Sequence, residues 1–239
     1  VVSGSLADII TAGNSVRLSA VFYGAAGLLP SQRPRVVAAE HYVQELESEW
    51  RASRMSAVLG IRDWSFFRLR PGNFPPRRLA GMVGLLQKYH QTGLRHSLET
   101  IVRKSSLEDR GRPLRESLLV TADDYWRNHF DFGKGCAGLS PLTIGEGRAG
   151  EMVINVVLPF FDAYGESQKD AELVAKTRAL YTLLPAADAN TVEKPMRAQL
   201  GLKSSLIKTA SRQQGLLHLY KQFCVQGRCT ECALVNPKP

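Results

Sequence analysis

The stretch Phe66–Leu86 reads FFRLRPGNFPPRRLAGMVGLL, and it predicts a proline-bracketed basic loop that runs directly into an amphipathic helix. The apolar positions recur every three or four residues, as on a helix with one buried face. They are Leu79, Met82, Val83 and Leu86. Pro76 suits the first helical position because no N–H group is needed there. This segment therefore predicts both the helix and the place where it starts.

Four arginines gather where this helix begins: Arg68, Arg70, Arg77 and Arg78. Cations in a first helical turn are disfavoured by about 0.3–1 kcal/mol each, since the helix dipole is positive at that end. Guanidinium groups and the free N–H groups of a helix start both suit a phosphate oxygen. We therefore predict that residues 68–78, with Asn73 at the turn, contact the phosphates of DNA or RNA.

The alternative is that carboxylates of the same chain, or water, neutralise these arginines, since exposed charges usually contribute little. The nearest acidic candidates in the sequence are Glu45, Glu47, Glu49 and Asp63. The aromatic residues beside the loop leave two roles open as well. Trp64, Phe66 and Phe67 could stack on bases, although core anchors are the commoner use of such rings, and we favour that role.

Composition restricts the class of protein. The 239 residues carry 31 Lys and Arg against 22 Asp and Glu, which gives a net charge of +9 and favours polyanionic partners. The longest apolar run, Met152–Phe161, is too short to span a bilayer, so no membrane partner is expected. Cysteine usage favours a cytoplasmic protein. The chain opens at Val1, and we expect it to be a piece of a longer protein.

Helical periodicity recurs along the chain and predicts a mainly α fold, an irregular multi-helix bundle with at most a short strand pair. The helices are expected at Leu6–Leu29, from Pro34 through Trp50, and at Gly93–Lys104, Asp123–Phe130, Ala171–Leu184 and Leu202–Phe223. A short strand is expected at Ser117–Thr121. Residues 1–239 are expected to form a single helical domain, with a sub-domain hinge at residues 105–113.

Two further segments have patterns with more than one interpretation. Met152–Phe161 is apolar on every side and is expected to be buried, as a helix bent near Pro159 or as a strand. Residues 145–150 match the dinucleotide-binding pattern G-x-G-x-x-G. That pattern carries meaning only within a βαβ unit. Because helices surround it here, we interpret it as the start of a helix.

The chain ends in a cysteine-rich corner, where Cys224, Cys229 and Cys232 follow the spacing C-x4-C-x2-C. Three thiolates suit Zn²⁺ or an iron–sulfur cluster and require a fourth ligand. The candidates for that ligand are Cys136, His129 and His218. Reduced structural thiols, a disulfide, or a reactive redox cysteine are the alternatives. We assign no catalytic residues, and we do not expect this fragment to be catalytic by itself.

Several motifs together resemble the C-terminal half of a bacterial family, domain of unknown function 2851. They are the Phe66–Leu86 segment, DDYWRNHFDF from Asp123, MVINVVLPFFDAYG from Met152, SRQQGLLHLYKQFC from Ser211, and the closing RCTEC. The resemblance implies a two-part protein whose N-terminal half, absent here, has motifs similar to metal-dependent, restriction-like nucleases. It implies that this chain is a helical accessory region.

Two functions follow from these expectations. The first is a nucleic-acid-binding accessory domain of a nuclease-like protein, in which the basic loop contacts phosphates. The second is a structural or protein-interaction module that docks the missing N-terminal half, with a metal or redox site at the C-terminal cysteines.

Overall fold

The structure, a computed structural model, describes residues 6–188, 190–232 and 234, apart from the side chains of residues 6, 7 and 11. It is mainly helical, as predicted. Its contacts form two compact units, Val1–Ser97 with Ser117–Glu146, and Leu98–Glu116 with Gly147–Pro239. The hinge at residues 105–113 stays a prediction. The single domain stays a prediction.

The helices and strands follow one another in a fixed order along the chain. They are α1 (Leu6–Thr11), α2 (Ser15–Ala25), α3 (His41–Ser53), α4 (Pro75–Lys88), α5 (Leu94–Lys104), α6 (Arg112–Leu118), β1 (Val120–Thr121), α7 (Asp124–Asn128), β2 (His129–Asp131), β3 (Lys134–Gly135), β4 (Leu142–Ile144), α8 (Glu146–Met152), α9 (Leu158–Gln168), α10 (Ala171–Leu183), α11 (Glu193–Gln199) and α12 (Ala210–Leu219).

The strands of the first unit form two antiparallel pairs, one more than predicted. In the first pair β1 lies beside β4, with Val120 opposite Ile144. In the second pair β2 lies beside β3, with His129 opposite Gly135. Three of these strands, β1, β2 and β4, contact α4. The helix that carries the predicted anion site is therefore built into the centre of this unit.

The core of the first unit surrounds α2. Tyr23 is fully buried and meets Phe132 edge to face, with ring centroids 5.1 Å apart. A Cβ atom added at Gly24 would lie 2.1 Å from the indole ring of Trp50, so only glycine lets α3 approach α2 this closely. Apolar burial of this kind supplies most of the stability of helices of such length.

Two helix boundaries in the first unit differ from the predictions. The single helix predicted over Leu6–Leu29 is broken at Gly13, whose φ of +66° suits glycine, and Asn14 then caps α2 by accepting from the Arg17 N–H. The helix predicted from Pro34 starts only at His41. The intervening segment contains a left-handed residue, Arg35 with a φ of +65°, and Arg33 just before it is paired with Asp131 of β2.

Other local predictions for helix starts are confirmed. Asp123 is the N-cap of α7, and its Oδ1 accepts from the Trp126 N–H at 2.8 Å. The glycine-rich residues 145–150 run into α8, which begins at Glu146. They therefore start a helix, as interpreted from the absence of a βαβ pattern.

In the second unit, the apolar run Met152–Phe161 is helical. It passes from α8 through a π-helical turn, Val153–Val157, into α9. The prediction of burial on every side is wrong, because the run lies on the surface with one buried stripe. Asn155 is exposed, and its amide donates to the Glu151 carbonyl and accepts from Gln214.

The last helix of the second unit is shorter than predicted. Only α12 and the π-helical turn Tyr220–Cys224 are regular, whereas Ser204–Leu206 is a separate 3₁₀ turn. The structure adds α11, which the sequence patterns did not predict. A buried polar cluster ties the two helices together: Gln213 of α12 donates to Glu193 of α11 at 2.8 Å and exchanges two hydrogen bonds with the Ala187 backbone.

Within the described part of the chain, no helix combines the length and the apolar character that crossing a membrane requires.

Candidate nucleic-acid interface at the basic loop

The two ends of the basic loop, residues 68–78, are held together by aromatic rings. Phe66, just before the loop, meets Phe74 with ring centroids 5.9 Å apart, and Phe74 meets Phe130 at 4.7 Å. Trp64 donates its indole N–H to the Ala26 carbonyl at 2.8 Å. These contacts place Trp64 and Phe66 in structural roles, as favoured from the sequence. The turn between the two ends is consequently fixed in position.

Arg33 supports the loop from the protein interior. Its Nη1 and Nη2 donate to the two carboxylate oxygens of Asp131 at 2.6 and 2.9 Å, and both side chains are buried. The same guanidinium lies over the Phe66 ring, 4.8 Å from its centroid. Sequence analysis missed this residue, because an isolated arginine outside any periodic pattern carries no signal of burial.

Arg77, one of the predicted phosphate contacts, is a buried structural residue. It is 1% exposed, and its guanidinium donates to the carbonyl oxygens of His129 and Ser140 at 3.1 and 2.6 Å. Desolvation by burial lowers the pKa of Arg77 below its ordinary value, and the charge of Asp123 partly offsets this. Arg77 is therefore not placed to contact a phosphate at the surface.

The other predicted residues lie outward. Arg68, Arg70 and Asn73 are exposed, and the structure brings Arg78 together with Asn73 through a 2.7 Å hydrogen bond from Nη2 to Oδ1. In the described ranges, no carboxylate forms an ion pair with Arg68, Arg70 or Arg78. Guanidinium groups without a counterion keep donors available for an incoming anion.

Two of the four acidic residues suggested as neutralising partners are hydrogen-bonded elsewhere. Glu47 accepts from the backbone N–H and the hydroxyl of Ser31 at 2.9 and 2.7 Å. Asp63 accepts from the Gly60 N–H at 2.8 Å. Neither carboxylate forms an ion pair with the basic loop. Glu45 instead lies near His41, and in the described residues Glu49 forms no ion pair with the loop.

The loop also carries a strained residue beside an exposed ring. Arg68 has a φ of +54°, a left-handed conformation that costs a non-glycine residue about 1–2 kcal/mol. Its guanidinium lies 4.9 Å from the centroid of the Phe67 ring, which is 76% exposed. Unlike Trp64 and Phe66, Phe67 is no core anchor. An exposed ring under a guanidinium is an arrangement that can stack on a base.

The backbone at the helix start contributes less than expected. A helix leaves four N–H groups free at its beginning. Here Pro75 and Pro76 have none, and the Phe74 N–H donates to the Pro71 carbonyl at 3.2 Å. Anion binding at this site would therefore depend on side-chain guanidinium groups and not on the helix N-terminus.

The predicted cysteine metal site does not assemble in the structure. Cys224 is half-buried, Cys229 is exposed and Cys232 is buried. Across residues 6–188, 190–232 and 234, no three His, Cys, Asp or Glu side chains form a group that could hold a metal ion. The ligands therefore do not fit Zn²⁺ or an iron–sulfur cluster in this conformation. Cys136, His129 and His218, the candidates for a fourth ligand, give no such group either.

Comparison with family models places much of the chain in a known family. The model of a family described as "Protein of unknown function (DUF2851)" matches residues 8–190. The match ends before the motifs at residues 211–232, and the similarity to a C-terminal half stays a prediction. No curated protein and no solved structure matches the chain. The cytoplasmic location also stays a prediction.

Proposed function

From the premise that this chain belongs to the DUF2851 family of proteins of unknown function, we propose that it is a nucleic-acid-binding accessory domain whose basic loop contacts phosphates. Arg68, Arg70 and Arg78 make these contacts, and Asn73 orients Arg78. Arg77 is left out of the set because it is buried.

One observation carries this proposal. Arg68, Arg70 and Arg78 lie on a loop that is fixed in position by packed aromatic rings. No carboxylate in the described residues forms an ion pair with them. A loop backbone that is fixed before binding reduces the entropy lost on association. The exposed Phe67 ring adds a surface for stacking, which suits a single strand.

The test is a salt titration of binding to labelled duplex DNA, single-stranded DNA and RNA, followed by fluorescence anisotropy. The variant replaces Arg68, Arg70 and Arg78 with Ala. For duplex DNA the slope of log K against log salt falls by about 0.9 for each lost phosphate contact, so we expect a decrease of about 2.7.

A matched control removes the same charge elsewhere. Arg112, Arg127 and Arg178 each pair with an aspartate of the chain, at 2.9, 3.7 and 2.7 Å. Replacing these three with Ala lowers the net charge by the same amount, and we expect the slope to change by less than half as much. Equal effects of the two triple variants would show non-specific attraction and would refute the loop as the contact.

We propose a protein-interaction module as the second candidate, with the missing N-terminal half as its partner. Two exposed apolar side chains on consecutive helical turns favour it: Val156, which is 59% exposed, and Phe160, which is 47% exposed. Exposed apolar clusters mark interaction sites. This candidate predicts that Val156→Ser with Phe160→Ser abolishes pull-down of a separately produced N-terminal half and leaves nucleic-acid binding unchanged.

A further inference from the structure

A cavity of about 260 Å³ lies within the first unit and shares no residue with the basic loop. Its walls come from α2, α3, α4, α7, β4 and the end of β1. Aromatic side chains line it at Tyr23, Tyr42 and Trp126, and apolar ones at Val16 and Val83. The volume is just below the roughly 300–1,000 Å³ of ordinary ligand pockets, so it suits a small molecule.

Trp126 lines the cavity and carries a buried hydrogen-bond donor that has no partner at standard geometry. Its side chain is fully buried, and its Nε1 has no hydrogen-bond partner. The indole lies close enough to the hydroxyls of Tyr23 and Tyr42 to offset part of the rise in their pKa values, although its N–H meets neither oxygen at standard hydrogen-bond geometry. An unpaired buried donor is costly. Trp64, by contrast, donates its indole N–H to a backbone carbonyl.

The remaining polar groups around the cavity are mostly uncharged. Ser19, Gln87 and Thr143 add hydroxyl and amide groups, and no lysine or arginine contributes to the lining. Burial, with a smaller contribution from the charge of Asp123, raises the pKa of Tyr42 to about 12, so this hydroxyl is neutral at physiological pH. Asp123 is the one carboxylate of the lining, and desolvation raises its pKa.

These features select a class of ligand. Aromatic walls favour a ring, the free indole N–H requires an acceptor, and hydroxyl groups can meet further ring atoms or carbonyl oxygens. An anion in this cavity would lie near the Asp123 carboxylate and would contact no positively charged side chain of the lining. We propose that this cavity binds a flat, uncharged heterocycle with ring-nitrogen or carbonyl acceptors, the class to which nucleobases belong. Free bases would bind even if the basic loop makes no phosphate contact.

The experiment titrates adenine and uracil separately into the full chain by isothermal calorimetry. We expect at least one of them to bind, and Trp126→Phe to weaken its affinity about tenfold, the loss expected for one hydrogen bond. Ala80→Leu, which fills the cavity from α4, should abolish binding. The matched control is Trp64→Phe, which removes an indole N–H that is already bonded and should leave the affinity unchanged.

Several outcomes would overturn the proposal. One is that neither base binds the wild-type chain, and another is that Trp126→Phe binds as tightly as the wild type. Benzamidine, a flat cation, is the comparison ligand, and tighter binding of benzamidine than of either base would identify a cation site. Circular dichroism of each variant checks folding. If Ala80→Leu fails to fold, the affinities of Trp126→Phe and Trp64→Phe for the base still decide whether the Trp126 N–H contributes to binding.

Discussion

Arg33 and Asp131 form a bidentate ion pair, buried from solvent, between residues 98 positions apart in the chain. Asp131 is 0% exposed, and its Oδ1 also accepts from the Phe132 N–H at 3.0 Å. The pair holds the segment before α3 against β2, and Arg33 supports Phe66 at the start of the basic loop. The local pattern predicts a helix from Pro34, whereas residues 34–40 are not helical and α3 begins at His41.

The first prediction concerns that pair. Asp131→Asn leaves the Arg33 guanidinium buried without a counterion, and we expect it to lower the free energy of unfolding by about 3–5 kcal/mol. Urea denaturation measures the change. The double variant Arg33→Met with Asp131→Leu removes both charges and should recover much of the loss. A single variant as stable as the wild type would show that the pair is not buried in solution.

The second prediction separates two adjacent arginines. Arg77→Ala leaves the His129 and Ser140 carbonyls without their charged donor, and we expect a loss of about 3 kcal/mol in unfolding free energy. Arg78→Ala removes a half-buried side chain bonded to Asn73 and should cost below about 1 kcal/mol. Under conditions where both variants are folded, Arg78→Ala should weaken binding of duplex DNA more than Arg77→Ala does. If Arg77→Ala instead causes the larger loss in both stability and DNA affinity, the assignment of the two arginines is wrong.

The third prediction concerns the exposed ring of the loop. Phe67→Ala removes a stacking surface without altering charge, so binding of single-stranded DNA should weaken about tenfold, within the roughly 1–3 kcal/mol measured per stacked base. Binding of duplex DNA, whose bases are already stacked, should change little. Phe160→Ala is the control, since it removes an exposed ring from the second unit. Equal weakening for duplex and single strand would argue against stacking.

The fourth prediction is a pH dependence in the second unit. Two hydrogen bonds lower the pKa of Asp170 below its ordinary value. The larger effect comes from the Arg103 side chain and the smaller one from the Leu173 N–H. A carboxyl with a depressed pKa stabilises the fold above its ordinary pKa of about 3.9, and this contribution is lost as the pH falls below that value. Arg103→Ala should therefore raise the pKa of Asp170 and reduce the drop in Tm between pH 6 and pH 3.

NMR titration of the Asp170 carboxyl carbon measures this shift directly. Arg112→Ala is the control, because Arg112 pairs with Asp109 and not with Asp170. An unchanged Asp170 titration in Arg103→Ala would mean that the ion pair does not form in solution.

The fifth prediction tests the cysteine corner. The exposed Cys229 thiol should react first with a disulfide reagent, and the buried Cys232 should react last. Added Zn²⁺ should leave these rates unchanged, because the described residues contain no group of three ligands that could hold the ion. Protection of Cys224, Cys229 and Cys232 together by Zn²⁺ would instead support the metal site predicted from their spacing.

Local patterns determined much of the secondary structure. The periodicity after Phe74 and the two prolines specify where α4 begins, and Asp123 specifies the start of α7, because each signal acts within a few residues along the chain. Burial was harder to predict. Met152–Phe161 has apolar residues on all sides, yet Val156 and Phe160 are exposed. Hydropathy alone does not predict which face of a helix packs against other elements.

The sequence by itself determined a mainly helical chain and a concentration of arginines at the start of α4. Only the tertiary structure decided what each arginine does. Arg77 and Arg78 are adjacent and alike, but the side chains of successive helical residues diverge by about 100°. Arg77 therefore meets the carbonyls of His129 and Ser140 in the interior, while Arg78 lies beside Asn73. Those carbonyls belong to residues more than 50 positions away in the chain, so no local sequence pattern predicts their contact with Arg77.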